Sequence, residues 1–152
     1  MKLIAHRGNL NGPLPERENS IAYIQEALLL GYDVEIDVWY INNHLFLGHD
    51  NPQYDLDLDF LLQNADSLWI HAKNLAALTY LLQYSQLHLF SHDKDEVILT
   101  SKRIPWVYPG APYDNKCVVV MPERVKEYSL QDIAKSDVYG ICSDYIYKIK
   151  QK

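Results

Sequence analysis

The chain of 152 residues reads as an α/β protein for two reasons. Apolar runs of strand length alternate with turn signals and amphipathic stretches along most of it, and the chemistry-bearing residues fall where those runs end. The runs that qualify as strands cover 2–6, 33–39, 68–73, 87–91, 96–100, 105–108, 116–121 and 138–143. Eight strands point to a (β/α)8 barrel, with an open α/β sheet as the alternative that accounts less well for the polar residues. Barrels of that kind usually take about 250 residues, so one built from this chain is compact and helix-poor. A single domain over 1–152 is expected, because a chain of this length buries enough surface for one core.

The elements follow in order. The first strand ends in His6-Arg7-Gly8. Asn19-Ser20 can cap a helix that carries Ile21, Ile24 and Leu28 on one face and stops at Gly31. The second strand is followed by Asn42-Asn43, residues that tolerate the positive φ of a tight hairpin, so 45–48 reads as an antiparallel return outside the barrel count. A weaker helix covers 58–65. After the third strand, Asn74 precedes Leu75, Leu78 and Leu82 at helical spacing. Between 87 and 120 no amphipathic helix is found, so loops join those strands. Ser129 with Asp132 resembles a capping box for a short helix to about 136, and 138–143 closes the series.

The formal net charge of −6 argues against nucleic acid and anionic membranes as partners, since binding to them rests on clustered Lys and Arg. No stretch approaches the ~20 apolar residues of a membrane span, and the apolar run at the N-terminus is too short for a signal peptide. A cytoplasmic location is therefore expected. Cys117 and Cys142 lie in apolar β-like runs and read as reduced, buried thiols, with a disulfide as the minority reading.

In 33–38 the alternation is strict, so Glu35 and Asp37 point to one side and Val34, Ile36 and Val38 to the other. Paired acids on a buried parallel strand need a cation or basic partners; the alternative is a half-exposed strand of an antiparallel sheet. The same phase puts His71 and Lys73 on one side of their strand. His6 and His49 both emerge where a strand gives way to a loop, the end at which α/β folds bind ligands. Together these residues offer two acids for a hard cation, two imidazoles for proton transfer, and Arg7 and Lys73 for an anion. Trp39, in phase with Asp37, is a candidate for the site wall. His92, Trp106 and Tyr108 are candidates for its mouth, and Asp144 for a supporting group.

His6-Arg7-Gly8, Pro15-Glu16-Arg17-Glu18-Asn19-Ser20, Gly31 to Val38 with its Glu35 and Asp37, and Gly48-His49-Asp50 together carry a resemblance. The chain resembles the glycerophosphodiester phosphodiesterase family over about its first fifty residues, within the phospholipase-C-like phosphodiesterases that also include the spider-venom sphingomyelinase D enzymes. Gly140-Ile141-Cys142-Ser143-Asp144 looks like a degraded form of the family's last barrel strand. The resemblance implies a TIM-like barrel, a small-molecule phosphodiester substrate and one divalent metal ion. It also implies that Glu35 and Asp37 are metal ligands, that His6 and His49 are the acid–base pair, and that Arg7 and Lys73 contact phosphate. His71 stands where the family has a third acidic ligand, so a ring nitrogen of His71 is expected to bind the metal. That exchange favours Mn²⁺ or Zn²⁺ relative to Ca²⁺, with Mg²⁺ still open. A non-catalytic phosphometabolite binder and a metal-dependent phosphomonoesterase are the alternatives.

Overall fold

Each of the eight expected strands forms in the computed structural model, which describes residues 1–150; the last two positions of the expected domain 1–152 lie outside the described residues. They are β1 (Lys2–His6), β2 (Asp33–Ile41), β5 (Leu68–Ala72), β6 (His88–Phe90), β7 (Val97–Leu99), β8 (Pro105–Val107), β9 (Val118–Val120) and β10 (Gly140–Ser143). The return strand β3 (His44–Leu47) also forms, across a turn in which Asn42 and Asn43 have φ of 51° and 63°. It is joined by β4 (Tyr54–Leu56), which no apolar run marks in the sequence.

The sheet is a mixed one of ten strands. β6, β5, β2, β1, β10, β9 and β8 run parallel in that order, while β7 is antiparallel to β8. This corrects the expectation of a closed (β/α)8 barrel: no strand ladder joins β6 to β7. The reason is chain length, because a parallel return needs a crossover of a dozen or more residues, whereas only residues 100–104 separate β7 from β8. Instead the free edge of β6 meets the turn after β7. Ser101 N–H donates to Leu89 O at 2.8 Å, Leu89 N–H to Ser101 Oγ at 2.9 Å, and His88 Nε2 lies 2.7 Å from Thr100 Oγ1.

The helices begin where the caps predict. Ser20 accepts from Tyr23 N–H ahead of α1 (Ile21–Leu29), Asn74 from Ala77 N–H ahead of α3 (Leu75–Leu81), and Ser129 from Gln131 and Asp132 N–H ahead of α4 (Leu130–Lys135). The weaker helix is α2 (Leu58–Gln63), whose Asp57 makes no side-chain cap; α5 (Tyr147–Lys150) was not signalled by a cap or a long apolar face. No helix among the described residues is long and apolar enough to cross a membrane.

Strand alternation sorts most of the core into two clusters, beside a small third one of Val107, Ala111 and Cys117. Ala5, Val34, Ile36, Ile70 and Ile141 face outward and pack with Ile24 and Ala27 of α1, each large apolar side chain contributing roughly 1.5–3 kcal/mol by burial. Ile4, Trp69, Phe90, Trp106, Val118, Val120 and Cys142 face the opposite way and form a smaller inner cluster with Met121. Glu35 and Asp37 share that inner phase. Both cysteines are free and buried.

Candidate active site

Over the inner cluster, at the carboxyl ends of the parallel strands, lies a cavity of about 250 Å³ lined by His6, Arg7, Glu35, Asp37, His49 and His71 together with Phe90, His92, Trp106, Tyr108, Met121 and Arg124. The backbone of β2 explains how two of these segments meet. Glu35 O accepts from Arg7 N–H at 2.9 Å and Asp37 O from Gly48 N–H at 3.1 Å. Carbonyls two residues apart point to the same edge, so the hairpin takes over that edge where β1 leaves it. His6 and His49 are thereby delivered beside one strand. Gly48 has φ of 147°, and a Cβ there would run into the Asn51 carbonyl oxygen, so only glycine lets the chain turn this sharply ahead of His49.

Asp37 is 1% exposed and surrounded by donors. Its Oδ1 lies 3.0 Å from His71 Nδ1 and 3.5 Å from Lys73 Nζ; its Oδ2 lies 2.9 Å from Asn19 Nδ2 and 3.2 Å from Arg7 Nε. Burial alone raises a carboxyl, but the His71 hydrogen bond and the charges of Arg7 and Lys73 outweigh it and hold Asp37 well below the usual carboxylate range. Glu35 is the opposite case. Its Oε2 is buried with no hydrogen-bond partner among the described residues and sits 3.9 Å from His6 Nε2. Burial, and then the neighbouring Asp37, raise it above the ordinary glutamate value.

His6 Nδ1 donates to Asp144 Oδ1 at 2.7 Å, since an ionised carboxylate only accepts, and this turns Nε2 toward Glu35. Burial lowers the His6 pKa, but the Asp144 hydrogen bond and the charge of Glu35 overcome it and the net shift is upward. His49, half-buried and donating to the exposed Asp50 at 2.7 Å, is shifted down by burial and then by Arg7. The two imidazoles are thus driven apart in proton affinity within one cavity. Tyr108 is raised by burial and by Glu35, so its hydroxyl keeps its proton.

Glu35, Asp37 and His71 each offer one ligand atom, and these atoms lie within 4.8 Å of one another, a candidate group for a metal ion. The orphaned Glu35 oxygen and the O,O,N donor set suit a divalent cation, because a buried carboxylate without a partner is costly until something positive meets it. With Nδ1 of His71 directed at Asp37, its Nε2 is the nitrogen left for such an ion.

A solved structure shares this fold. The chain aligns with the crystal structure of glycerophosphodiester phosphodiesterase from Agrobacterium tumefaciens str. C58 at a TM-score of 0.58 and 15% identity, covering 100% of both chains. At that identity the likeness speaks for the fold alone. No family model and no curated protein matches the sequence.

Two expected residues stand elsewhere. Trp39 does not line the cavity: it lies in the part of β2 that pairs with β3, opposite Phe46, and its indole N–H donates to Gly48 O at 2.6 Å, which fixes the loop carrying His49. Lys73 is also absent from the lining and reaches the site through Asp37. Other residues were missed by the sequence reading. Glu18 accepts from Arg7 at 3.1 Å and from Asn9 at 2.8 Å, and Asn9 also donates to Asp144 at 2.8 Å. Asn19, at φ 61°, donates to the Asp37 carboxylate and accepts from the Asp37 N–H at 3.0 Å. The segment 15–20 did carry a signal, as part of the motif that supports the resemblance.

Proposed function

We propose that the protein is a metal-dependent phosphodiester hydrolase acting on a glycerophosphodiester or a related small diester, with His6 and His49 as its acid–base pair. The observation that carries this reading is the buried Glu35 oxygen, without a hydrogen-bond partner among the described residues, in a cavity lined by both histidines. The mixed sheet is proposed to be a reduced TIM-like barrel forming a single domain, with the turn after β7 standing in for a closing strand. Its likeness in fold to a phosphodiesterase supports the reaction class. Free, buried thiols suit a cytoplasmic site of action.

In this reading Glu35, Asp37 and His71 hold one divalent ion, Mg²⁺, Mn²⁺, Ca²⁺ or Zn²⁺, and when bound it neutralises charge on the phosphoryl group. Arg7 faces the cavity and contacts phosphate, while Lys73 acts through Asp37. Asp144 keeps the His6 Nδ1 proton in place so that Nε2 exchanges protons with the substrate, and Asn9 holds Asp144. His49, held neutral more readily, is the complementary proton acceptor. The test is a screen of phosphodiesters with each of those four ions. His6→Ala and His49→Ala are each expected to lower the rate by about 10²–10⁴, and no hydrolysis with any ion or diester overturns the reading.

A second reading, a phosphometabolite binder without catalysis, is favoured by one observation: the donors around Asp37 already balance that carboxylate without a metal. Phosphomonoesters in the same screen separate both readings from a phosphomonoesterase.

A further inference from the structure

The cations at the cavity differ in how they are engaged. Arg7 is paired with Glu18 and Asp37, and Lys73 with Asp37. Arg124 also lines the cavity, yet among the described residues no carboxylate lies within ion-pair distance of it. The backbone that presents Arg124 is closely held. After β9 the chain turns at Met121, whose φ of 47° and ψ of 48° are left-handed, a conformation disfavoured for a residue with a Cβ. Met121 N–H donates to Cys142 O at 2.7 Å, and Arg124 N–H returns to Met121 O at 2.9 Å, closing the 3₁₀ turn Pro122–Arg124. Glu123, within that turn, accepts from Ser143 Oγ at 2.9 Å and from Asp144 N–H at 3.0 Å. The turn is thereby pinned to the end of β10, and Arg124 is left exposed at the rim, where its charge reaches Asp144 but no ion pair holds the guanidinium among the described residues.

A second polar group in the same cavity is also unmatched. His92 Nδ1 is buried with no hydrogen-bond partner among the described residues, and its ring is fixed between His71 and Tyr108, with centroids 4.7 Å and 4.2 Å away. The carboxylates Glu35 and Asp37 belong to β2, so a phosphoryl group placed there with its ion leaves the rest of the ligand to run toward the rim. There it meets Arg124. Phe90, Trp106 and Tyr108 alone would suit a quaternary ammonium by cation–π contact; the positive charge of Arg124, carried on a pinned turn beside them, repels one.

We infer that Arg124 binds an anionic oxygen group carried by the substrate beyond its reacting phosphate, with His92 as a second polar contact, so that the cavity selects ligands bearing an additional carboxylate or phosphate over those ending in an ammonium. This rests on the phosphodiesterase reading for the placement of the reacting phosphate, and its test does not require turnover. Calorimetry with Mg²⁺ present compares 3-phosphoglycerate with glycerol 3-phosphate, which differ by a carboxylate against a hydroxymethyl group. The natural protein should bind the former about 10-fold more tightly, the low end for a charge-assisted hydrogen bond at an exposed rim. Arg124→Gln should remove that preference, Arg124→Lys should restore part of it, and Arg17→Gln, the same charge change away from the cavity, should leave it intact. Equal binding of the two ligands by the natural protein, or an unchanged preference in Arg124→Gln, overturns the inference. If the preference depends on Arg124 while no phosphodiester is hydrolysed, the inference stands and the catalytic reading falls.

Discussion

Acid should weaken the fold through His88, at the edge where the sheet fails to close. Its ring is buried, packed at a tilt against Trp69 with centroids 3.9 Å apart, and hydrogen-bonded through Nε2 to Thr100 Oγ1. Thr100 Oγ1 already accepts from Ile104 N–H, so its hydroxyl hydrogen is free to donate to an unprotonated Nε2. Burial, and then the charges of Lys102 and Lys2, push the His88 pKa from 6.5 down to about 4. The folded value is the lower one, so as pH falls the unfolded chain takes up the proton first. Stability from this group is complete above the unfolded value and is lost progressively between 6.5 and about 4. At ~1.4 kcal/mol per pH unit, that gap limits the loss to about 3 kcal/mol, a large share of a typical 5–15 kcal/mol. Urea denaturation followed by tryptophan fluorescence, from about pH 7 down to about pH 4.5, measures it. His88→Gln retains a hydrogen-bonding group without the titration, and its stability should depend less on pH across this window. The upward shift of His6 acts with the opposite sign but is common to both proteins and cancels in the difference. If the two proteins lose stability in parallel as pH falls, His88 is not the titrating group and the argument fails.

Two further outcomes concern the site. Asp144→Asn should lower kcat/KM for any diester hydrolysed by about 10–100-fold, because His6 Nδ1 loses its anionic partner; an unchanged pH–rate profile alongside unchanged activity would show that Asp144 does not orient His6. His71→Glu, which replaces an imidazole with an anionic oxygen ligand, should shift metal preference from Mn²⁺ or Zn²⁺ toward Mg²⁺ or Ca²⁺ in calorimetric titrations, and an identical preference order would remove His71 from the ligand set.

What the sequence revealed and what it hid divide along physical lines. Alternation placed Glu35, Asp37 and His71 on one face because a strand fixes side-chain direction locally, and the caps at Ser20, Asn74 and Ser129 act within three residues of themselves. The direction of β7 depends on how much chain remains for a crossover, a global property, so an apolar run there looked like any other strand. Asn19-Ser20 suggests a helix cap from its sequence; Ser20 alone caps, and Asn19 uses its tolerance of positive φ to reach Asp37. The His6–Asp144 pair spans a sequence separation of 138 residues, and nothing local to either residue announces the other. Arg124 shows the same limit, since a charged residue on a loop carries no mark of the wall it borders.

The inner cluster has an evolutionary consequence. Phe90, Trp106, Val120 and Met121 belong both to that cluster and to the cavity wall, so the surface that shapes a ligand is also packing that holds the sheet together. Enlarging the cavity by truncating Trp106 to alanine would cost roughly 3–5 kcal/mol, enough to threaten folding in a marginally stable chain. Ligand preference in such a protein is therefore free to drift mainly where exposure makes substitution inconsequential for stability, as at Arg124. Descendants of this chain should diversify around the mouth while the depth of the cavity stays unchanged.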